Sequence, residues 1–65
     1  MDEQLITEEE AAKVVGLTRA HLADLRRAGN GPEFVQYVER GKVFYRPSAL
    51  RVWMDARTHT GASHD

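Results

Sequence analysis

The chain has no cysteine, two prolines, one tryptophan and no long apolar run. Without cysteine, neither disulfides nor thiolate zinc sites can add stability, and the chain fits a reducing compartment. That matters because 65 residues make at most one domain, with a core near the lower limit for folding alone. No apolar stretch approaches the roughly 20 residues that span a bilayer. The start, MDEQLITEEE, lacks the basic residues and apolar centre of a signal peptide. The expectation is a soluble cytoplasmic protein without membrane contact. Catalytic chemistry is also scarce. His59 and His64 have no rigid helical spacing, and Ser48 and Ser63 have no base partner in the sequence. No glycine-rich phosphate loop is present. Neither an enzyme nor a metal, cofactor or small-molecule ligand is expected.

Net charge is −1, which by itself argues against a polyanionic partner. Its distribution argues the other way. Residues 1–10 carry five acids and no base, whereas residues 11–57 carry nine bases against four acids, a balance of +5. The field at one surface, not the total charge, steers a nucleic acid. The same distribution also describes an ordinary mixed surface with an acidic first helix, and charge alone leaves the two readings level.

Thr7-Glu8-Glu9-Glu10 has the form of a capping box, with three glutamates where the helix dipole favours negative charge. The helix is expected to run through Ala11, Ala12, Val14 and Val15 as inward residues, its acids explained by capping. Gly16 interrupts it. Thr18 is the next cap, RAHLADLRRA follows, and Gly29 is placed to end that helix. Leu22 and Leu25 set its inner face. Ala20 and Arg27 then point away, Ala23 and Asp24 are also outward, and Arg19, His21 and Arg26 flank. Two helices joined by so short a turn make the helix-turn-helix pattern.

Asn30-Gly31-Pro32 reads as a loop. The runs FVQY at 34–37 and VFYR at 43–46 read as strands of a β-hairpin, with a charged, glycine-containing link between them. Pro47 suits a helix start. Leu50, Trp53 and Met54 then recur at i, i+3, i+4, with Trp53 as a core anchor. Residues 58–65 are polar and expected to be a disordered tail. The order helix, helix, hairpin, helix predicts a mainly α fold with a β-hairpin, a winged helix-turn-helix over residues 1–57. A lone hairpin is weak in water, so Phe34, Val43 or Tyr45 is expected to pack on the helices.

LITEEEAAKVVGLTRAHLADLRRAGNGPEF, followed by GKVFYRPSALRVWMDAR, resembles the MerR-like and AlpA-like winged helix-turn-helix proteins, and most of all the small phage excisionases. The resemblance spans residues 5–57. Its features are Thr7, Glu9, Glu10 and Ala12 at the start, the Gly16-Leu17-Thr18 turn, and Leu22, Leu25 and Gly29. Tyr45-Arg46, Leu50 and Trp53 complete the set. The resemblance implies that the second helix enters the major groove while the hairpin, or wing, contacts backbone or minor groove. Carried over, Thr18, Arg19, Ala20, Ala23 and Arg27 would face the groove, and Arg40 and Lys42 would form the wing contacts. Ala23 and Asp24 depart from the arginine or aromatic that MerR-like relatives often carry there, so no base preference transfers. The chain shows one short helix past the wing and no long dimerisation helix, so metal or drug sensing is not expected.

Each residue also has a physical reading. Arg19, in the first turn, can donate a bidentate pair to guanine, worth about 1–3 kcal/mol of discrimination. Ala20 and Ala23 permit close approach and thymine-methyl contact. Asp24 suits an intrahelical partner better than a base. Arg26 suits the helix C-terminal end or a phosphate, and Arg27 either binds DNA or pairs with Asp24. Arg40, Gly41 and Lys42 make a flexible cationic tip that can follow a phosphate backbone or enter a narrow minor groove, and Arg46 is a secondary phosphate contact. The expected partner is double-stranded DNA. The role that the resemblance implies is a recombination directionality factor that helps a tyrosine integrase excise a phage or integrated element, with copies side by side on DNA. A small transcriptional regulator of the same fold, and a protein-interaction module without DNA binding, remain open.

Overall fold

The computed structural model describes residues 3–57. The expected tail, with His59, Ser63 and His64, lies outside the described residues. The elements are β1 (Ile6–Thr7), α1 (Glu8–Val15), α2 (Arg19–Arg27), β2 (Val35–Gln36), β3 (Val43–Tyr45) and α3 (Pro47–Arg57).

The caps form where the sequence places them. The Thr7 hydroxyl accepts from the Glu10 N–H at 3.1 Å, and the Glu10 carboxylate accepts from the Thr7 N–H at 3.1 Å. Gly16 takes the left-handed region (φ 80°), and the Leu17 N–H reaches back to the Ala12 carbonyl at 2.9 Å. This Schellman closure satisfies carbonyls that a helix end leaves open. α2 repeats the scheme. Thr18 caps it by accepting from the His21 N–H at 3.1 Å. Gly29 (φ 79°) ends it, with the Asn30 N–H donating to the Leu25 carbonyl at 2.8 Å. Only Gly16, Leu17 and Thr18 separate the two helices, so α2 turns away from α1 instead of running back along it.

The hairpin is not alone. β1, β3 and β2 form a three-stranded antiparallel sheet in that order, so the domain is mixed α/β and not a helical fold with an isolated hairpin. Ile6 lies opposite Tyr45 and Thr7 opposite Phe44, while Val35 pairs with Phe44 and Gln36 with Val43. The added strand gives the otherwise marginal hairpin a third partner. Because Thr7 ends β1 and caps α1, one residue ties the sheet to the first helix.

Ala11, Ala12, Leu22, Tyr45 and Leu50 form the core, with Ile6, Val15, Leu17, Val43 and Met54 packed around it. The inward stripe of α1 is Glu8, Ala11, Ala12 and Val15, at i, i+3, i+4 and i+7. Val14 falls outside that stripe and is exposed, contrary to expectation. Leu50 is the buried residue of α3. Trp53 is half-buried instead of a core anchor, and its indole N–H donates to the Asn30 carbonyl at 2.9 Å, tying α3 to the loop after α2. The Arg57 guanidinium lies 4.8 Å from the Trp53 ring centre. Glu3 closes the start of α3 by accepting from the Ser48 N–H at 2.8 Å and the Ser48 hydroxyl at 2.7 Å. Among the described residues no helix is long and apolar enough to cross a membrane.

Candidate nucleic-acid interface

Three polar side chains from three elements meet beneath the surface between α2 and the sheet. Glu8 opens α1, Arg26 lies in the last turn of α2, and Tyr45 ends β3. The Arg26 Nε donates to Glu8 Oε2 at 2.8 Å, and its Nη2 lies 3.5 Å from Oε1. The Tyr45 hydroxyl donates to the same Oε2 at 2.9 Å. The side chains of Arg26 and Glu8 are only 16% and 9% exposed. The Glu8 bond holds the Arg26 pKa above its usual value. Burial pushes the Tyr45 hydroxyl well up, and its bond to Glu8 adds to the shift. On its other side the Arg26 guanidinium sits 5.6 Å from the Phe34 ring centre.

Around this floor α2 and the β2–β3 loop line two adjoining hollows. One, of about 400 Å³, has Arg19 and Lys42 on its walls, with Thr7 and Glu9 beside them. The other, of about 390 Å³, is lined by Arg27 and Arg40. Arg26, Gly41 and Val43 border both. Four cations, two from the helix and two from the loop, therefore ring one continuous depression, and all four are exposed.

The loop that carries Arg40 and Lys42 is braced. The Gly41 N–H donates to the Val38 carbonyl at 2.9 Å, and the Gln36 side-chain amide donates to the Gly41 carbonyl at 2.9 Å. Arg40 occupies the left-handed position (φ 64°) that glycine usually takes in such a turn. Gly41 serves a different need from the flexibility expected of it. A Cβ there would collide with Val38 Cγ2 and crowd the Val38 carbonyl oxygen at 3.0 Å, so the side chain of Val38 occupies the space that any larger residue needs.

The expected contact residues separate into groups. Arg19, Ala20, Arg27, Arg40 and Lys42 are exposed, and Thr18 is spent on capping α2 through its oxygen. Arg27 pairs with Asp24 at 3.4 Å, one of its two expected roles, but both side chains stay open to solvent. Two residues are corrected. Ala23 is 2% exposed and presents no surface to a groove. Arg26 is committed to Glu8 and Phe34 and is a structural cation, not a free one. Their burial shows that α2 packs through Leu22, Ala23 and Arg26, a face rotated from the Leu22–Leu25 axis. Arg46 is exposed but borders neither hollow. It lies near Glu3 at the start of α3. The Glu3 carboxyl is held below its usual value first by the Ser48 hydroxyl and further by Arg51 and Arg46.

Sequence reasoning missed Glu8, Gln36 and Val38. Glu8 carried a signal, since a carboxylate on an otherwise apolar helical stripe calls for a buried cation. No family model, curated protein or solved structure matches this chain.

Proposed function

We propose that the chain binds double-stranded DNA as a small winged helix-turn-helix protein, with α2 in the major groove and the β2–β3 loop as the wing. The observation that carries this reading is the ring of Arg19, Lys42, Arg27 and Arg40 around one depression. Nothing in the core needs these four charges, and Glu8 already neutralises the cation beneath them. The base-reading side of α2 is sparse. Arg19 can address guanine, Ala20 allows close approach, and Arg27 is shared with Asp24. Phosphate contacts and DNA shape would therefore carry much of the affinity. That balance suits an architectural protein, and the resemblance to small phage excisionases names the role: a recombination directionality factor acting with a tyrosine integrase. A face this small needs neighbouring copies or a partner protein to hold DNA firmly.

Fluorescence anisotropy with attachment-region duplexes across a salt series tests the proposal. With Arg19 on a base and Arg27, Arg40 and Lys42 on phosphates, the slope of log K against log salt should be about −2.7. Arg19→Ala combined with Arg40→Ala should weaken binding and bring the slope to about −1.8. Binding that ignores salt, or that survives both substitutions unchanged, overturns the proposal. Stimulation of integrase-dependent excision identifies the directionality factor, and promoter repression without excision identifies a regulator.

A further inference from the structure

The β2–β3 loop carries more than charge. Tyr37 is 75% exposed and Val38 is 65% exposed, both next to the turn that presents Arg40 and Lys42. These two neighbouring apolar side chains at a loop end stand outside the core and are available to a partner. They are also held in place. The Tyr37 ring leans on Phe44 with ring centres 6.3 Å apart, and Val38 Cγ2 packs over Gly41 within a turn closed by the Val38–Gly41 bond.

We infer that Tyr37 and Val38 form an apolar wedge that enters the DNA duplex at one base step, unstacking it while Arg40 and Lys42 hold the flanking phosphates. This rests on the DNA-binding reading and gives the loop a mechanical role in it. Two properties favour DNA over a protein as occupant. The exposed apolar side chains of the loop are two, Tyr37 and Val38, whereas a stable protein interface buries about 1,200 Å² or more. Around them the cations Arg40 and Lys42 outnumber the exposed Glu39, so the loop carries a net positive charge that complements a polyanion. Wedges of one or two apolar side chains are enough to kink a duplex, because partial unstacking lets the bent DNA meet more protein surface. A braced turn suits this task, since a floppy one would fold aside instead of prising a step apart. Pyrimidine–purine steps unstack most easily and are the expected entry points.

The test uses short duplexes, each with a single 2-aminopurine at a TA or CA step and dyes at its ends, titrated with the whole chain. Anisotropy reports binding, 2-aminopurine fluorescence reports unstacking, and energy transfer between the end dyes reports bending. The wild-type complex should brighten severalfold at one step and draw the ends together. The Tyr37→Ala/Val38→Ala variant should lose both signals, while its affinity falls by no more than about tenfold and its salt slope stays unchanged. Tyr37→Phe keeps the ring and should keep the signals, which separates loss of the wedge from loss of the fold. Wild-type binding without brightening, or a double variant that brightens as the wild type does, overturns the wedge and leaves DNA binding standing. A double variant that still unstacks DNA but no longer self-associates also overturns it, assigning the patch to a protein contact. No anisotropy change with any duplex overturns the DNA-binding reading itself.

Discussion

The junction of Glu8, Arg26 and Tyr45 reaches the depression through Glu8 and Arg26, and the β2–β3 loop reaches it through Arg40, Gly41 and Lys42, yet the two handle charge in opposite ways. In the junction Arg26 and Tyr45 both bond to Glu8, and the arginine is nearly covered. In the loop Arg40 and Lys42 stand exposed beside exposed apolar side chains. The junction fixes where α2 sits on the sheet, and so sets the distance between helix cations and loop cations. In the proposed complex the loop then presents its groups to DNA. Charge inside the fold acts as a fastener, and charge at its rim stays open to solvent.

Removing one member of the junction should have the largest effect. Arg26→Ala leaves Glu8 and the Tyr45 hydroxyl without their cation and should cost about 3 kcal/mol in urea denaturation, much of the stability of so small a domain. Arg27→Ala, one residue along, should change stability by no more than about 0.5 kcal/mol. Replacing the pair together, Glu8→Gln with Arg26→Met, should recover part of the loss, because no buried charge then lacks a partner. Equal effects of Arg26→Ala and Arg27→Ala would erase the contrast.

Gly41→Ala comes next. The added methyl displaces the exposed Val38 side chain and crowds the Val38 carbonyl oxygen at 3.0 Å, so a loss of about 1 kcal/mol is expected, with weaker DNA binding because the turn must shift. The third effect depends on pH. Tyr45 would ordinarily ionise near 10.0 and its pKa is raised in the fold, first by burial. The unfolded chain therefore gives up this proton at a lower pH than the folded chain does. The stability it contributes is complete below that ordinary value and is lost as pH rises through the folded one. Tyr45→Phe should flatten this alkaline decline in chemical denaturation, while lowering stability by about 1 kcal/mol at neutral pH. The smallest effects belong to the rim. Lys42→Ala should leave the melting temperature unchanged and reduce the salt slope of DNA binding by about 1. Arg40→Gly should do the same to the slope while raising stability by up to about 1 kcal/mol, because glycine takes the left-handed position without strain.

Local signals made much of this fold readable in advance. Thr7, Gly16, Thr18 and Gly29 mark helix ends through short-range capping chemistry, and all four cap or close helices in the structure. The β-branched and aromatic run Val43-Phe44-Tyr45 marks a strand. β1 left no such mark, because two residues show no periodicity and its pairing with β3 depends on chain far away in sequence. The face of α2 was misjudged for a related reason. Treating arginine as polar put Arg26 at the flank and made Leu22 and Leu25 the inner axis, although a buried ion pair lets Arg26 face inward. Reading Glu8 and Arg26 as partners would have rotated the helix correctly and buried Ala23. At the candidate site, the sequence indicated Arg19, Arg27, Arg40 and Lys42 one at a time. Their arrangement around one depression depends on packing between α2 and the sheet, which no local pattern reveals.

The central claim is that α2 and the β2–β3 loop form one DNA-binding surface over a structural junction. Amide chemical-shift mapping of the isotope-labelled chain during titration with a duplex tests it most directly. Perturbations should gather at the start of α2, at Arg27 and across residues 37–42, with little change in the later turns of α3. Perturbations centred on α3, or no perturbation under conditions of low salt, would contradict it.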